Sequence, residues 1–327
     1  MTRIALVVNP TKADPAQIEA LHRTVAAACA AAALPPPRLL LTSEQDAGGE
    51  QARRALADGA DLVAACGGDG TVNAVAQALA GTGAVLGIVP LGTGNLLAAN
   101  LGVPKGIDDA VSALITGRDR RIDLGRCGRD RILVGLAGLG LDAAMVADVP
   151  AFLKKRIGWP AYVVSIARHL PDRGVTVVFE LDGRRVRHFG VRTVLIGNFG
   201  RVQGGINLLP AAAPDDGLLD VVVLAPRGRL LGWLGVLAHL HRTRPDAPAR
   251  TQSQDSDAVH RYRAKRVVAH TRHPVAHETD GEFLGRGTRL AVEVQPLALT
   301  VRVPQAPAAP VFPDPAAAIE ASRGGAR

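Results

Sequence analysis

The chain has 327 residues, enough for two domains and a large core. With 47% hydrophobic and 21% charged residues it is not a disordered chain, and the 3% aromatic content leaves its core to Ala, Val and Leu. The formal charge is +8, and only five of the 38 basic residues are lysine; so Arg-rich a surface suits nucleotides, phospholipid headgroups or nucleic acid, or else reflects only a compositional habit of the source genome.

Three widely spaced cysteines, Cys29, Cys66 and Cys127, form neither a disulfide framework nor a zinc motif, which points to a reducing cytoplasm. The first ten residues lead into an apolar strand pattern without the basic start and longer apolar stretch of a signal peptide. Residues 83–104 are uncharged and long enough for a membrane span. Pro90, Gly92, Gly94, Asn95 and Asn100 interrupt them, so they read as strand, loop and helix.

Residues 3–8 read as a strand, 15–33 as an Ala-rich helix and 38–42 as a second strand. A helix over 49–58, a strand over 61–65, a helix over 72–80, a strand over 85–89 and a helix from 96 to 101 follow. Strands alternating with helices imply parallel pairing with helical crossovers, hence an α/β domain, and ligands in such sheets bind beyond the carboxyl ends of the strands. From about residue 122 the pattern changes. Residues 131–134, 175–181, 185–196, 218–224, 266–269 and 290–295 read as strands, with Asp182-Gly183 as a hairpin turn. Helices are expected around 159–170 and 230–241. The domains expected are 1–121, joined by about 297–312, then a mostly antiparallel β domain over 122–296. A Pro- and Ala-rich tail follows, disordered over 313–327.

Two loops carry the strongest chemical signal. Gly67-Gly68-Asp69-Gly70-Thr71 follows a strand and opens a helix, where glycines let the backbone approach a phosphate and helix N–H groups face it. Asp69 could meet the magnesium of a nucleotide or the attacking hydroxyl; the plainer reading is a tight turn with Asp69 as a helix cap. Pro90-Leu91-Gly92-Thr93-Gly94-Asn95 repeats the arrangement, with Thr93 able to donate to a phosphate oxygen and Asn95 able to cap the helix. Asp216-Gly217 and Asp280-Gly281, taken singly, read as hairpin turns.

Together with Asn9-Pro10, these loops resemble the catalytic domain of the diacylglycerol kinase family, which includes sphingosine and ceramide kinases and is related to NAD kinases and phosphofructokinases. The sequence looks closest to the bacterial soluble lipid kinases. The resemblance continues through Gly204-Gly205, Pro210-Ala211, Asp216-Gly217-Leu218-Leu219-Asp220 and Asp280-Gly281-Glu282, covering nearly all of residues 1–300. It implies a phosphofructokinase/NAD-kinase-like α/β nucleotide-binding domain followed by a mostly antiparallel β-sandwich.

By the same resemblance, Asn9, Pro10, Thr42, Gly67, Gly68, Asp69, Gly70, Thr71, Asn73, Gly92, Thr93, Gly94 and Asn95 are the ATP-binding positions. Asp280 is the base that accepts the substrate's hydroxyl proton, with Glu282 beside it and Asp69 as the third catalytic acid. In an extended segment Glu282 would point to the same side as Asp280 and help raise the pKa of one of the two. Asp216, with backbone carbonyls near Ala213 and Leu218, resembles a structural magnesium site. The first loop departs from the family: Asn9-Pro10-Thr11-Lys12-Ala13-Asp14 lacks the Gly/Ser-rich continuation. Lys12 could supply a phosphate contact there, or face solvent at a helix start.

His270, His273 and His277 lie close together, but Pro274 interrupts any helix carrying them, and exposed or hydrogen-bonded histidines compete with a zinc reading. Lys154-Lys155-Arg156 with Trp159 and Tyr162 could touch a membrane, as could Trp233 with Arg242 and Arg244; a solvated face with ordinary packing is the alternative.

The function expected is an ATP- and Mg2+-dependent kinase of a lipid alcohol, diacylglycerol foremost, working in the cytoplasm with peripheral contact to the inner face of the membrane. A homodimer is compatible with this reading and no nucleic-acid partner is expected; no aromatic-rich nucleic-acid motif accompanies the basic charge, which leaves charge alone to support a basic nucleic-acid binder as an alternative. The alternatives are a kinase of a soluble alcohol, NAD- or sugar-like, and a catalytically silent nucleotide-binding protein.

Overall fold

A computed structural model describes residues 2–128, 131–140, 174–202, 207–226, 232–233, 236 and 257–306. It divides into two compact units, Met1–Asp123 with Leu297–Phe312, and Leu124–Pro296.

The first unit alternates β1 (Ile4–Val8), α1 (Pro15–Ala31), β2 (Arg38–Leu41), α2 (Gly49–Ala57), β3 (Leu62–Gly67), α3 (Asp69–Leu79), β4 (Val85–Pro90), α4 (Leu96–Asn100) and α5 (Ile107–Thr116). Its sheet runs β2-β1-β3-β4 with every pair parallel, extended by the last residues of β14 (Glu282–Val303), where Thr300 and Val301 pair with Val85 and Leu86. The wholly apolar strands β1 and β3 are buried along their length, as strands covered on both faces must be. Asp14 caps α1, exchanging hydrogen bonds with Gln17, and Pro15 supplies the preset φ of the first turn. Leu6, Val8, Leu62, Ala64 and Val89 pack against Ile18, Leu21 and Val25 of α1 and Val111 and Leu114 of α5. A Cβ at Gly87 would lie 2.2 Å from the Leu114 side chain, so glycine there lets α5 settle on the sheet.

The chain leaves this unit in β5 (Arg118–Cys127) and returns in β14. The buried Asp123 carboxylate accepts the N–H of Leu297 at 2.7 Å, and Arg121 donates twice to the Leu297 carbonyl, at 3.1 and 2.8 Å. These bonds hold Leu297 at φ +50, left-handed backbone that a leucine adopts only when its surroundings impose it.

In the second unit the described strands are β6 (Arg131–Leu133), β7 (Leu136–Gly140), β8 (Val175–Leu181), β9 (Arg184–Val191), β10 (Thr193–Gly197), β11 (Leu219–Leu224), β12 (Val259–Ala264) and β13 (Arg266–Thr279), with the first part of β14. All pair antiparallel, in the order β12-β11-β10-β7-β13-β14, with β8 and then β9 branching from β13. Along β11, Leu219, Val221 and Val223 join one core with Leu139, Phe179, Ile196 and Val267, while Val222 and Leu224 face a second with Leu195, Leu208 and Leu209. The two-residue period of a strand thus feeds two apolar layers.

Several boundaries differ from the sequence reading. Residues 185–196 form two strands, because β9 belongs to β8 whereas β10 joins β7 and β11, with Gly190 at φ +67 ahead of the break. β13 and β14 run far beyond 266–269 and 290–295. Pro274, Gly285 and Gly287 hide their length in sequence, and the ladder absorbs these residues through register shifts. Helix α5 and strands β5, β7 and β12 were not anticipated. The tail over 313–327, the helix around 159–170, most of 230–241, Gly204-Gly205, and the patches at Lys154, Lys155, Arg156, Trp159, Tyr162, Arg242 and Arg244 lie outside the described residues. Among the described residues no helix is long and apolar enough to cross a membrane.

Candidate active site

In the first unit three loops meet at the carboxyl ends of β1, β3 and β4. Asn9 joins two of them: its amide donates to Thr71 Oγ1 at 3.2 Å, and its Oδ1 accepts both the N–H and the hydroxyl of Thr11 at 2.9 Å. Gly67 accepts the N–H groups of Leu91 and Gly92, at 2.9 and 3.2 Å, drawing the third loop onto the second. The glycines are required by this contact. A Cβ on Gly92 would stand 2.6 Å from Gly68 Cα, and one on Gly67 would stand 2.7 Å from the Thr71 side chain.

Asp69 completes the junction as a helix cap, but of α4 and not of the helix it opens. Its carboxylate accepts the N–H of Asn95 at 2.9 Å and of Leu96 at 2.6 Å, so it caps α4, whose first residue lies 27 further along the chain. Burial pushes its pKa up, against the opposing pull of these two bonds and of Lys12. Asn95 sits in left-handed backbone at φ +50, donates its amide to the Gly92 carbonyl, and keeps Oδ1 buried without a partner.

Around this junction Gly70, Thr93, Pro10 and Lys12 are exposed, while Gly68, Asn73 and Gly94 are half-buried. No side chain caps α3 at Gly68, so the first turn of that helix presents N–H groups beside exposed glycine. Lys12 reaches over the same place, its Cε 3.8 Å from where a Gly68 Cβ would be. Lys12 is both exposed and beside Gly68, so its position is compatible with either sequence reading. Thr42 is buried at the end of β2, its N–H bonded to Val8. Asn9, Pro10, Gly67, Gly68, Asp69, Gly70, Thr71, Gly92, Thr93, Gly94 and Asn95 therefore belong to one loop cluster, with Asn73 one turn into α3 and Thr42 behind it.

In the second unit Asp280 and Gly281 form a two-residue hairpin turn, both left-handed at φ +50 and +78. The Asp280 carboxylate accepts three backbone N–H groups, from Val134 (2.9 Å) and Gly135 (2.7 Å) on the link between β6 and β7 and from Leu136 (3.1 Å) at the start of β7. Its own N–H donates to the Leu136 carbonyl at 2.8 Å, and Glu278 accepts the N–H of Gly281 at 2.8 Å. The segment is thus a turn and not extended, which corrects the expected relation to Glu282. That carboxylate goes to Arg131 at 2.6 Å, and the same guanidinium lies 3.4 Å from Thr279 Oγ1. Glu282 is charge-balanced by an arginine that no motif had marked.

At the expected magnesium turn both oxygens of the Asp216 carboxylate have a partner in this structure. Asp216 Oδ1 accepts the N–H of Leu218 at 3.1 Å, and Oδ2 is taken by the Arg263 guanidinium. The remaining expected donors are the carbonyls of Ala213 and Leu218. Asp220 is buried beside Arg263, whose Nε lies 3.3 Å from Oδ1; burial still pushes the Asp220 carboxyl up to about 7. Among the described residues no group of three His, Cys, Asp or Glu side chains could hold a metal. His277 is buried in β13 with Nε2 unpartnered, while His273 is exposed.

Residues 3–127 match the family model of the diacylglycerol kinase catalytic domain, and residues 135–303 match that of the YegS C-terminal NAD kinase β sandwich-like domain. The "Probable lipid kinase YegS" of Salmonella paratyphi A is 30% identical over 264 residues, covering 78% of this chain and 81% of the relative, and that of Salmonella newport is equally similar. Two structures from Bacillus anthracis str. Sterne share the fold. One, described as a diacylglycerol kinase, has a TM-score of 0.67 at 22% identity over 92% of this chain and 96% of that one. The other has a TM-score of 0.73 at 24% identity, over 92% and 97%. The chain belongs to the YegS lipid kinase family, in which a diacylglycerol kinase catalytic domain precedes a β sandwich-like domain, and it is a kinase.

Proposed function

We propose that the chain transfers the γ-phosphoryl group of ATP to the hydroxyl of a lipid alcohol, diacylglycerol foremost, at the cytoplasmic face of a membrane. The observation that carries the nucleotide half is the convergence of the three glycine-rich and Asn9-bearing loops around an uncapped helix N-terminus with Lys12 above it. Backbone N–H groups there, with Lys12 and Thr93, would receive the phosphates. Magnesium carried in with the nucleotide would supply neutralisation of the phosphate charge beside these residues.

Phosphoryl transfer makes a bond from the acceptor oxygen to Pγ and breaks the bond from Pγ to the bridging oxygen, releasing ADP. The hydroxyl proton goes to the Asp280 carboxylate, which residues 134–136 hold in place. The names of the relatives support a lipid as acceptor.

The purified chain, given labelled ATP, magnesium and a panel of lipid alcohols in micelles with sugars and NAD alongside, should label diacylglycerol most. Labelling of a soluble alcohol and of no lipid would reject the lipid reading. No labelled product at all would reject the catalytic one.

A further inference from the structure

Arg263 lies on β12 directly opposite Asp220 of β11 in the antiparallel register. From there its guanidinium spans two carboxylates, with Nη2 on Asp216 Oδ2 and Nε 3.3 Å from Asp220 Oδ1. Asp220 is 3% exposed and its Oδ2 has no partner, so a buried acid faces this arginine from one side while the Asp216 turn faces it from the other. Gly217, left-handed at φ +73, turns the chain between Asp216 and β11.

We propose that Arg263 is the resident cation of the Asp216 turn, so that in this chain the turn is fixed to β11 and β12 by a guanidinium and takes up no magnesium. The physical grounds are geometry and charge. Mg2+ demands a near-octahedral set of oxygens at about 2.1 Å. Here one Asp216 oxygen accepts the Leu218 N–H and the other meets a guanidinium whose charge repels a second cation. An arginine never loses its charge in a protein, and its planar fork matches carboxylates in fixed directions, so it can do the tying permanently. The bridge also links residues of three segments, the 214–217 turn, β11 and β12, which a cation in the turn would otherwise have to join.

The test needs no turnover, so it stands or falls apart from the lipid kinase reading. The full chain is stripped with chelator and melted with and without Mg2+ in the absence of nucleotide, and Mn2+ binding is followed by electron paramagnetic resonance. The wild-type protein should show the same Tm in chelator and in Mg2+, with no Mn2+ bound through Asp216. Arg263→Met should lower the Tm, and Arg263→Lys should lower it less. A wild-type Tm that rises with Mg2+, or one Mn2+ bound per chain and lost in Asp216→Asn, would overturn the proposal. So would an Arg263→Met protein as stable as the parent. Should Arg263→Met fail to fold, the Mn2+ titration of the wild-type chain and Asp216→Asn decides alone.

Discussion

Asp69 of the first unit and Asp280 of the second share a local sequence pattern, an acid beside glycine, and the structure holds both by backbone N–H groups from distant segments. They differ in what they organise. Asp69 supplies the cap that α4 lacks, since Asn95 at its start is left-handed and makes no side-chain cap. The residues that remain exposed around it, Gly70 and Thr93, are those placed to meet a ligand. Asp280 is instead the focus of its own region: the β6–β7 link wraps it, Glu278 fixes the turn, and Arg131 takes up Glu282. An acid in a Gly-containing turn can thus serve a loop or be served by one, and the number and origin of its N–H donors separate the two cases.

The largest expected effect comes from Asp280→Asn. Removing the proton acceptor should lower kcat roughly 10²–10⁴-fold while leaving the KM for ATP nearly unchanged. The amide cannot accept from all three N–H groups, so stability should also fall, by about 1.5–3 kcal/mol for hydrogen bonds to a charged group. Both kcat and the urea midpoint must be measured to separate the two losses. A near-normal kcat would remove Asp280 as the base and with it the contrast between the two acids.

Asp69→Asn sharpens the contrast from the other side. Losing one charged acceptor should cost about 1.5–3 kcal/mol locally, and hydrogen exchange should show reduced protection at the amides of Asn95 and Leu96. The Gly92–Asn95 loop would lose its anchor, so the KM for ATP should rise several-fold, more than kcat falls. A large drop in kcat at unchanged KM and unchanged amide protection would make Asp69 a chemical group and not an organiser of the loop.

Much of this was legible in the sequence. Strands alternating with helices gave the parallel unit, the change after residue 122 gave the antiparallel one, and both Gly loops fell at strand ends, because local patterns encode elements and turns. Partnership across the fold was hidden. Nothing near Asp69 announces that Leu96 needs a cap, and nothing near Glu282 announces Arg131, because such pairs depend on which strands become neighbours. Arg263 meets Asp220 only through the β11–β12 register, in a chain so rich in arginine that no single one stands out. Helix α5 escaped notice for a different reason. Ile107–Thr116 has two adjacent acids and a short span, and its place is set by a glycine two elements away, Gly87, against which Leu114 packs.

The smallest expected effect concerns pH, where the two units should respond in opposite directions. Burial pushes the pKa of Asp69 up and that of His277 down, in each case against the charged form. For Asp69 the linked stability is present below the unfolded pKa of about 3.9 and lost as pH rises through the folded value. For His277 the folded pKa lies below the unfolded value of about 6.5, so its stability is present above that pH and lost as pH falls through the folded value. The neutral ring is packed against Gly287, where a Cβ would come within 3.0 Å, and buried Nε2 has no acceptor to welcome a proton. A proton taken up by the unfolded chain therefore pulls the equilibrium away from the folded second unit. Urea unfolding compared at about pH 7.5 and about pH 5.5, on either side of the histidine's ordinary value, should show a loss at the lower pH that His277→Leu diminishes. Identical losses in the parent and the variant would mean that His277 is protonated in the folded chain as readily as in the unfolded one, and that the second unit has no such response to acid.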